Sequence, residues 1–341
     1  MSSLPQQIPS TFTRMVGCKY PIIAGPMFLV SDVDLVVATS ETGGVGGMPS
    51  LNWRTTEEFR TAVQAVKKRT QKPFAVNLIV NQSNPRQEAD LEVCVQEKVP
   101  MIITSLGNPK TVIQAMHQVG GKIFCDVTDL KYAEKVEGLG ADGVIAVSSG
   151  AGGHAGPISP FVLIPYLKKH LKIPIVAAGG ISTGEQIAAA MTLGASAVQM
   201  GTRFIASTEA HVEENYKNAI LKSDPEDIML TKKISGTNLA VIKTPYIEKL
   251  GTELGIVEAN LLKNPKLKKY VKMARIWIGS QKLKNAILGP TYKEVWSAGQ
   301  GVGLIEDISS VKEIMNRLVH EYVTAMERNK EMLQALSHTG P

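Results

Sequence analysis

The sequence predicts an α/β chain whose main body is a closed (β/α)8 barrel. Three observations lead there: eight strand-length apolar runs, helical patterns between them, and glycines at the ends of several runs. The runs are nearly continuous in apolar residues, as in strands buried on both faces, without the alternation of a half-exposed sheet. Repeated strand–helix units imply right-handed crossovers and a parallel sheet, and eight of them in about 210 residues suit a closed barrel.

In order, the predicted strands are Tyr20–Ala24, Gly44–Met48, Phe74–Ile79, Met101–Thr104, Lys122–Cys125, Gly143–Val147, Ile173–Ala178 and Ala197–Met200. A helix over Asp32–Thr42 carries Val33, Val36 and Val37 on one face. The next, Thr55–Lys68, opens with a capping box in which Thr55 caps the first turn and Glu58 reaches back. A third, Thr183–Leu193, stops at Gly194, a residue suited to the left-handed turn that ends a helix. The period breaks after Phe204. Residues 1–209 therefore read as the barrel and 210–295 as a helix-rich insertion near the C-terminus, beside the barrel mouth. Residues 296–341 return to the barrel through a glycine-rich turn and a helix with Val311, Ile314, Met315, Leu318, Val319, Tyr322 and Val323 at helical spacing.

A chain of 341 residues with 44% hydrophobic and 20% charged residues is ordinary for a soluble globular protein. No apolar stretch approaches the roughly 20 residues of a membrane span, and Met1–Pro9 lacks the features of a signal peptide. Cys18, Cys94 and Cys125 are widely spaced, which argues against a disulfide framework or a zinc site and fits a reducing, cytoplasmic location. No metal site is expected. The net charge of +6 is uneven: eight basic residues and no acidic one lie from Lys263 to Lys284. Such a run is either a solvated helix face or a surface for a phosphorylated cofactor or an acidic carrier protein. Nucleic acid is not expected, since no module for it is present and aromatic content is only 5%.

The Gly143–Val147 run feeds into Ser148–Pro157, which contains Gly152-Gly153-His154. Glycines at a strand end let a flat ligand approach the backbone, and His154 places a proton-moving group beside it. The last two strands end in Ala178-Gly179-Gly180 and Gln199-Met200-Gly201-Thr202-Arg203. Loops at these positions of a barrel often bind phosphate through backbone N–H groups. Thr202 adds a hydroxyl, and Arg203 adds charge unless it points outward into an ion pair. A dinucleotide fingerprint at Gly150–Ala155 lacks the acidic residue about 20 positions on that would hold a ribose.

The ordered set Pro21–Met27, Gly43–Gly46, Val76–Leu78, Ala151–His154, Ala178–Ile181 and Gln199–Phe204 resembles the nitronate monooxygenases, over roughly residues 15–325. Enoyl-acyl-carrier-protein reductase II and NADH:quinone reductases of the same superfamily share most of these segments. The resemblance implies non-covalent FMN on the C-terminal face of the barrel. Its phosphate would lie on Gly179, Gly180 and the loop of Gln199, Met200, Gly201 and Thr202. Ala24, Gly25, Pro26, Met27 and Asn77 would border the ring, with Gly152 close by and His154 as the catalytic residue. Relatives commonly carry a Gln and a Glu where this chain has Val147 and Gly150, and an Arg where it has Ala155. The expected reaction is oxidation of alkyl nitronates by dioxygen to carbonyl compounds and nitrite. The alternatives are an FMN-dependent NAD(P)H reductase of a quinone or enoyl thioester, and a phosphate-binding barrel without redox chemistry. Expected partners are a small-molecule substrate, NAD(P)H in the reductase case, and a second copy of the chain, with no membrane.

Overall fold

The computed structural model describes residues 4–81, 84–234, 237–252 and 295–337. Eight strands, β1 (Ile22–Ala24), β2 (Val45–Pro49), β3 (Phe74–Ile79), β4 (Met101–Ser105), β5 (Lys122–Val127), β6 (Gly143–Val147), β7 (Ile175–Ala178) and β8 (Ala197–Met200), form a closed barrel in sequence order. Every neighbouring pair is parallel, and β1 closes on β8 through Ile22–Val198 and Ala24–Met200. The short helix α1 (Thr11–Val16) precedes the barrel and sends Phe12 into its base, where it meets Phe124 edge-on with ring centroids 5.4 Å apart.

Helices α2 (Val33–Glu41), α3 (Thr56–Arg69), α4 (Gln87–Gln96), α5 (Lys110–His117), α6 (Leu130–Gly138), α7 (Pro160–His170) and α8 (Gly184–Thr192) follow β1 to β7 in turn. Their starts obey the capping chemistry of the sequence: Asp32 caps α2, and Thr55 and Thr183 form full capping boxes with Glu58 and Gln186. After β8 comes only the four-residue α9 (Thr202–Ile205). The eighth place in the outer ring is taken by the C-terminal helix, which packs on α8 and α2. Side chains alternate along each strand. Ile23, Val45, Ala75, Met101, Ile103, Phe124, Ile145, Val176, Ala178 and Ala197 fill the barrel, while the opposite faces pack under the helices.

Strands β1 and β7 begin two residues later than their apolar runs, because Pro21 and Pro174 have no N–H for the ladder. At the other end, β4 runs one residue and β5 two residues past the expected stop. The insertion also departs from expectation. Besides α10 (Glu214–Lys222) and α11 (Pro245–Leu250), it contains an antiparallel pair, β9 (Ile228–Thr231) and β10 (Leu239–Ile242). Four-residue apolar runs are too short for periodicity to separate strand from helix. The basic stretch Lys263–Lys284 lies outside the described residues. From Val295 the described chain leads into its last helix, α12 (Val311–Ser337). All three cysteines are free and buried, and burial pushes the thiols of Cys18 and Cys125 up to about 12. Among the described residues no helix is long and apolar enough to cross a membrane.

Candidate active site

The residues expected at the site lie in the C-terminal half of a barrel strand or in the loop that follows it, the face on which barrel enzymes carry their chemistry. Ala24, Gly25, Pro26 and Met27 leave β1, Asn77 sits in β3, and Gly152 and His154 follow β6. Gly179 and Gly180 follow β7, and Gln199, Met200, Gly201 and Thr202 close β8 and open α9. Two of them turn their side chains away from the mouth. Ala24 and Met200 belong to the outer apolar cluster, so only their backbones bear on the site; the Met200 carbonyl accepts the Gly25 N–H at 2.9 Å.

The ends of β7 and β8 form a glycine-lined cradle. Gly179 and Gly180 have φ of +114° and +72°, a region closed to most L-residues. A Cβ on Gly179 would fall 2.8 Å from Ser148 Oγ, whereas one on Gly180 would meet nothing nearer than 3.9 Å, so open space lies above it. The amides of Gly180 and Gly201 donate to no protein acceptor among the described residues. Gln186 holds the loop by donating from Nε2 to the Gly180 carbonyl at 2.9 Å. Thr202 Oγ1 accepts the Gly299 N–H at 3.0 Å, which leaves its own hydroxyl proton to donate. Arg203 takes no part. It is buried and turned outward, bonded to Asp307 Oδ1 at 3.1 Å and to the carbonyls of Ala206 and Asp307.

The loop bearing His154 is held from two sides. Gly153 and Ala240 of β10 exchange both backbone hydrogen bonds, and the Gln300 N–H donates to the Gly150 carbonyl at 3.0 Å. The turn at 298–300 lies so close to this loop that a Cβ on Gly152 would come within 2.8 Å of the Ala298 carbonyl carbon. His154 stands at the mouth, reached by solvent yet crowded by protein. That crowding disfavours its charged form and lowers its pKa below the ordinary 6.5. The imidazole is thereby kept a base at neutral pH. The other described histidines lie elsewhere: His117, His170 and His320 on outer helices, and His211 beside Asp32.

The inner wall of the mouth carries a polar chain of which the sequence reading included Asn77 and Gln199 but not Ser105 and Asp126. Two-residue alternation from Ala75, Ile103, Phe124 and Ala197 places Asn77, Ser105, Asp126 and Gln199 on the same inward face, one step nearer the mouth. Asn77 Nδ2 donates to the Ile103 carbonyl at 3.1 Å and to Ser105 Oγ at 2.7 Å, and Ser105 Oγ donates to Asp126 Oδ2 at 2.5 Å. Both donors of Asn77 are used, so its carbonyl oxygen is the end left for a ligand. Asp126 Oδ1 and Gln199 Oε1 are enclosed and have no partner. Burial raises the Asp126 carboxyl to about 6, against the lowering effect of the Ser105 hydroxyl. A separate cavity of about 350 Å³, lined by Arg14, Lys168 and Lys172, lies at the opposite rim and is remote from this chemistry.

These features define a (β/α)8 barrel with a glycine cradle after β7 and β8 and a histidine on the loop beside it. A model of the nitronate monooxygenase family matches residues 10–321, and the chain belongs to that family. It is an oxidoreductase of the superfamily that also contains FabK. The chain is similar to the structure of FabK from Thermotoga maritima, at 32% identity and TM-score 0.82, covering 96% of this chain and 100% of that one. It is 28% identical to a 5-hydroxy-7a-methyl-1-oxo-octahydro-1H-indene-4-carboxyl-CoA dehydrogenase of Rhodococcus jostii, over 93% of this chain and 97% of the relative. A nitronate monooxygenase of Pseudomonas aeruginosa is 31% identical over 66% of this chain and 77% of its own.

Proposed function

We propose that the protein is an FMN-dependent oxidoreductase that oxidises alkyl nitronates, or the nitroalkanes from which they form, to carbonyl compounds and nitrite. The observation that carries this reading is the position of His154, on the loop after β6 that packs against the glycine cradle. The residues fit FMN: the unbonded amides of Gly180 and Gly201 suit its phosphate, and the unpartnered Gln199 Oε1 and the free carbonyl of Asn77 suit a polar ring edge. When bound, FMN supplies the electron acceptor, and the protein contributes binding, orientation and proton handling. Gly179, Gly180, Gly201 and Thr202 would hold the phosphate, and Pro26 and Met27 would border the ring. His154 Nδ1 or Nε2 takes the proton from the carbon next to the nitro group.

A second reading, reduction or dehydrogenation of a thioester, is supported by the FabK and CoA-dehydrogenase relatives, which match along nearly their whole length. Both chemistries act at a carbon beside an electron-withdrawing group, which is what a neutral base at this position serves. The test is anaerobic mixing of the flavin-loaded protein with a nitronate, NADH, NADPH or an acyl-CoA. Bleaching of the flavin band by the nitronate supports the first reading. Bleaching by a nicotinamide or an acyl-CoA alone replaces it with the second, and a colourless protein that takes up no flavin overturns both.

A further inference from the structure

Among the described residues Asp126 is the one carboxyl in the inward layer at the barrel mouth, which it shares with Gly25, Gly47, Asn77, Ser105, Val147, Ala178 and Gln199. Its two oxygens are not equivalent. Oδ2 accepts the Ser105 hydroxyl at 2.5 Å, and that hydroxyl is itself an acceptor for Asn77, so the direction of the chain is fixed. The acidic proton, when present, therefore sits on Oδ1, the oxygen with no partner. The residue as a whole retains some accessible surface, while Oδ1 itself is enclosed.

Among the described residues no cation pairs with it. Strand β4 presents Ser105 and strand β6 presents Ile145 and Val147. The ionisable groups that feel its charge are Tyr132 of α6 and Cys125 of its own strand, both pushed up to about 12 and therefore neutral. His154, beyond the end of β6, is held neutral by its surroundings. A carboxyl poised near 6 without a counter-charge responds strongly to a new negative charge nearby, by about one to three pH units.

We propose that Asp126 is the redox-linked proton site of the pocket. This rests on the FMN reading. A two-electron donor passes a hydride to the flavin and is itself oxidised; the reduced ring keeps one extra negative charge. The Asp126 carboxylate then takes one proton from solvent onto Oδ1 and offsets that charge. On reoxidation the proton returns to solvent.

The test is the midpoint potential of the FMN-loaded protein measured from pH 5 to 9, in the wild type, Asp126→Asn and Ser105→Ala. In the wild type the slope steepens at about pH 6 from one proton per two electrons to two, and returns to one above the raised pKa of the reduced state, about one to three pH units higher. Asp126→Asn, which keeps the shape of the side chain, holds the shallower slope throughout. Ser105→Ala removes the donor that favours the carboxylate, so its break moves to higher pH. Equal slopes and breaks in all three flavin-loaded proteins overturn the inference and leave the FMN reading standing. Failure of the wild type to take up FMN overturns both.

Discussion

Gly153 and Ala240 exchange both of their backbone hydrogen bonds, N–H to carbonyl at 3.1 Å one way and 2.7 Å the other. The residue before the candidate base is thus pinned to a strand of the insertion, and Ala240 spends its polar backbone on this contact rather than on β9. Ala240→Pro removes the 2.7 Å bond, and the β9 ladder bonds on either side stay in place. The expected result is faster amide exchange at Gly153 and a several-fold rise in KM, with FMN content unchanged. Unaltered exchange at Gly153 would show that the turn at 298–300 holds the loop alone.

Gly180→Asp should abolish flavin retention. The backbone there is left-handed, at φ +72°, and a carboxylate would stand in the open space above the loop and repel a phosphate. Gly180→Ala keeps the strain without the charge, so it should lose less flavin. Flavin absorbance per polypeptide after gel filtration reads both. An aspartate variant as yellow as the wild type would move the phosphate elsewhere.

His154→Asn should keep FMN and slow turnover of a neutral nitroalkane by about 10²–10⁴-fold, the usual span for a general base. A nitronate has already lost that proton and should suffer a smaller loss. Because crowding lowers the pKa of His154, the acid limb of kcat/KM for the nitroalkane should fall below pH 6.5. An acid limb above that value would assign the proton transfer to another group.

The raised pKa of Asp126 also has a signature in stability. Its folded value of about 6 exceeds the unfolded 3.8, so the fold favours the neutral acid. That stabilisation is complete below pH 3.8 and is lost as pH rises through 6. Asp126→Asn should melt with the wild type near pH 4 and be more stable by about 2–3 kcal/mol at pH 8. Parallel melting curves across that range would mean the carboxyl is ionised without cost.

Asp307 bridges the buried Arg203 and the half-exposed Arg317. Hydrogen bonds from Arg317 and Ser309, together with the charge of Arg203, hold its carboxyl well below the usual range. The stabilisation is therefore present above the ordinary carboxylate pKa and disappears as pH falls through the folded value. Asp307→Asn should cost about 2 kcal/mol at pH 7, less than a fully orphaned buried charge because two carbonyls still accept from Arg203. The difference should shrink in acid, as urea titrations at pH 7 and pH 3 would show.

The barrel and its glycine loops were legible because continuous apolar runs and capping residues are local signals. Thr55, Thr183 and Gly194 mark helix ends through bonds to residues a few positions away. The two inner-wall residues that sequence reasoning missed sit one step past the expected ends of their strands. Thr104 and Cys125 look like the last apolar-compatible positions, and Ser105 and Asp126 look like the first residues of loops. Only the ladder with neighbouring strands extends pairing that far, Ile79 with Ser105 and Asp126 with Ile145. Tertiary pairing, not propensity, turned them inward. Arg203 was similarly undecided in sequence, since its partner Asp307 lies 104 residues on.

The contact between α8 and α12 bears on how the chain is made. Gly184 lies so close to α12 that a Cβ there would fall 2.2 Å from the Leu318 carbonyl, and its amide is bonded by Glu321 at 2.7 Å. All eight barrel strands leave the ribosome well before these partners do. During that interval the flank formed by Ile187, Val198 and Phe204 has no cover, because Ile314, Met315 and Leu318 have yet to be translated. A nascent chain stalled near residue 300 should therefore expose a sticky apolar seam to chaperones, and release from them should coincide with synthesis of the last helix.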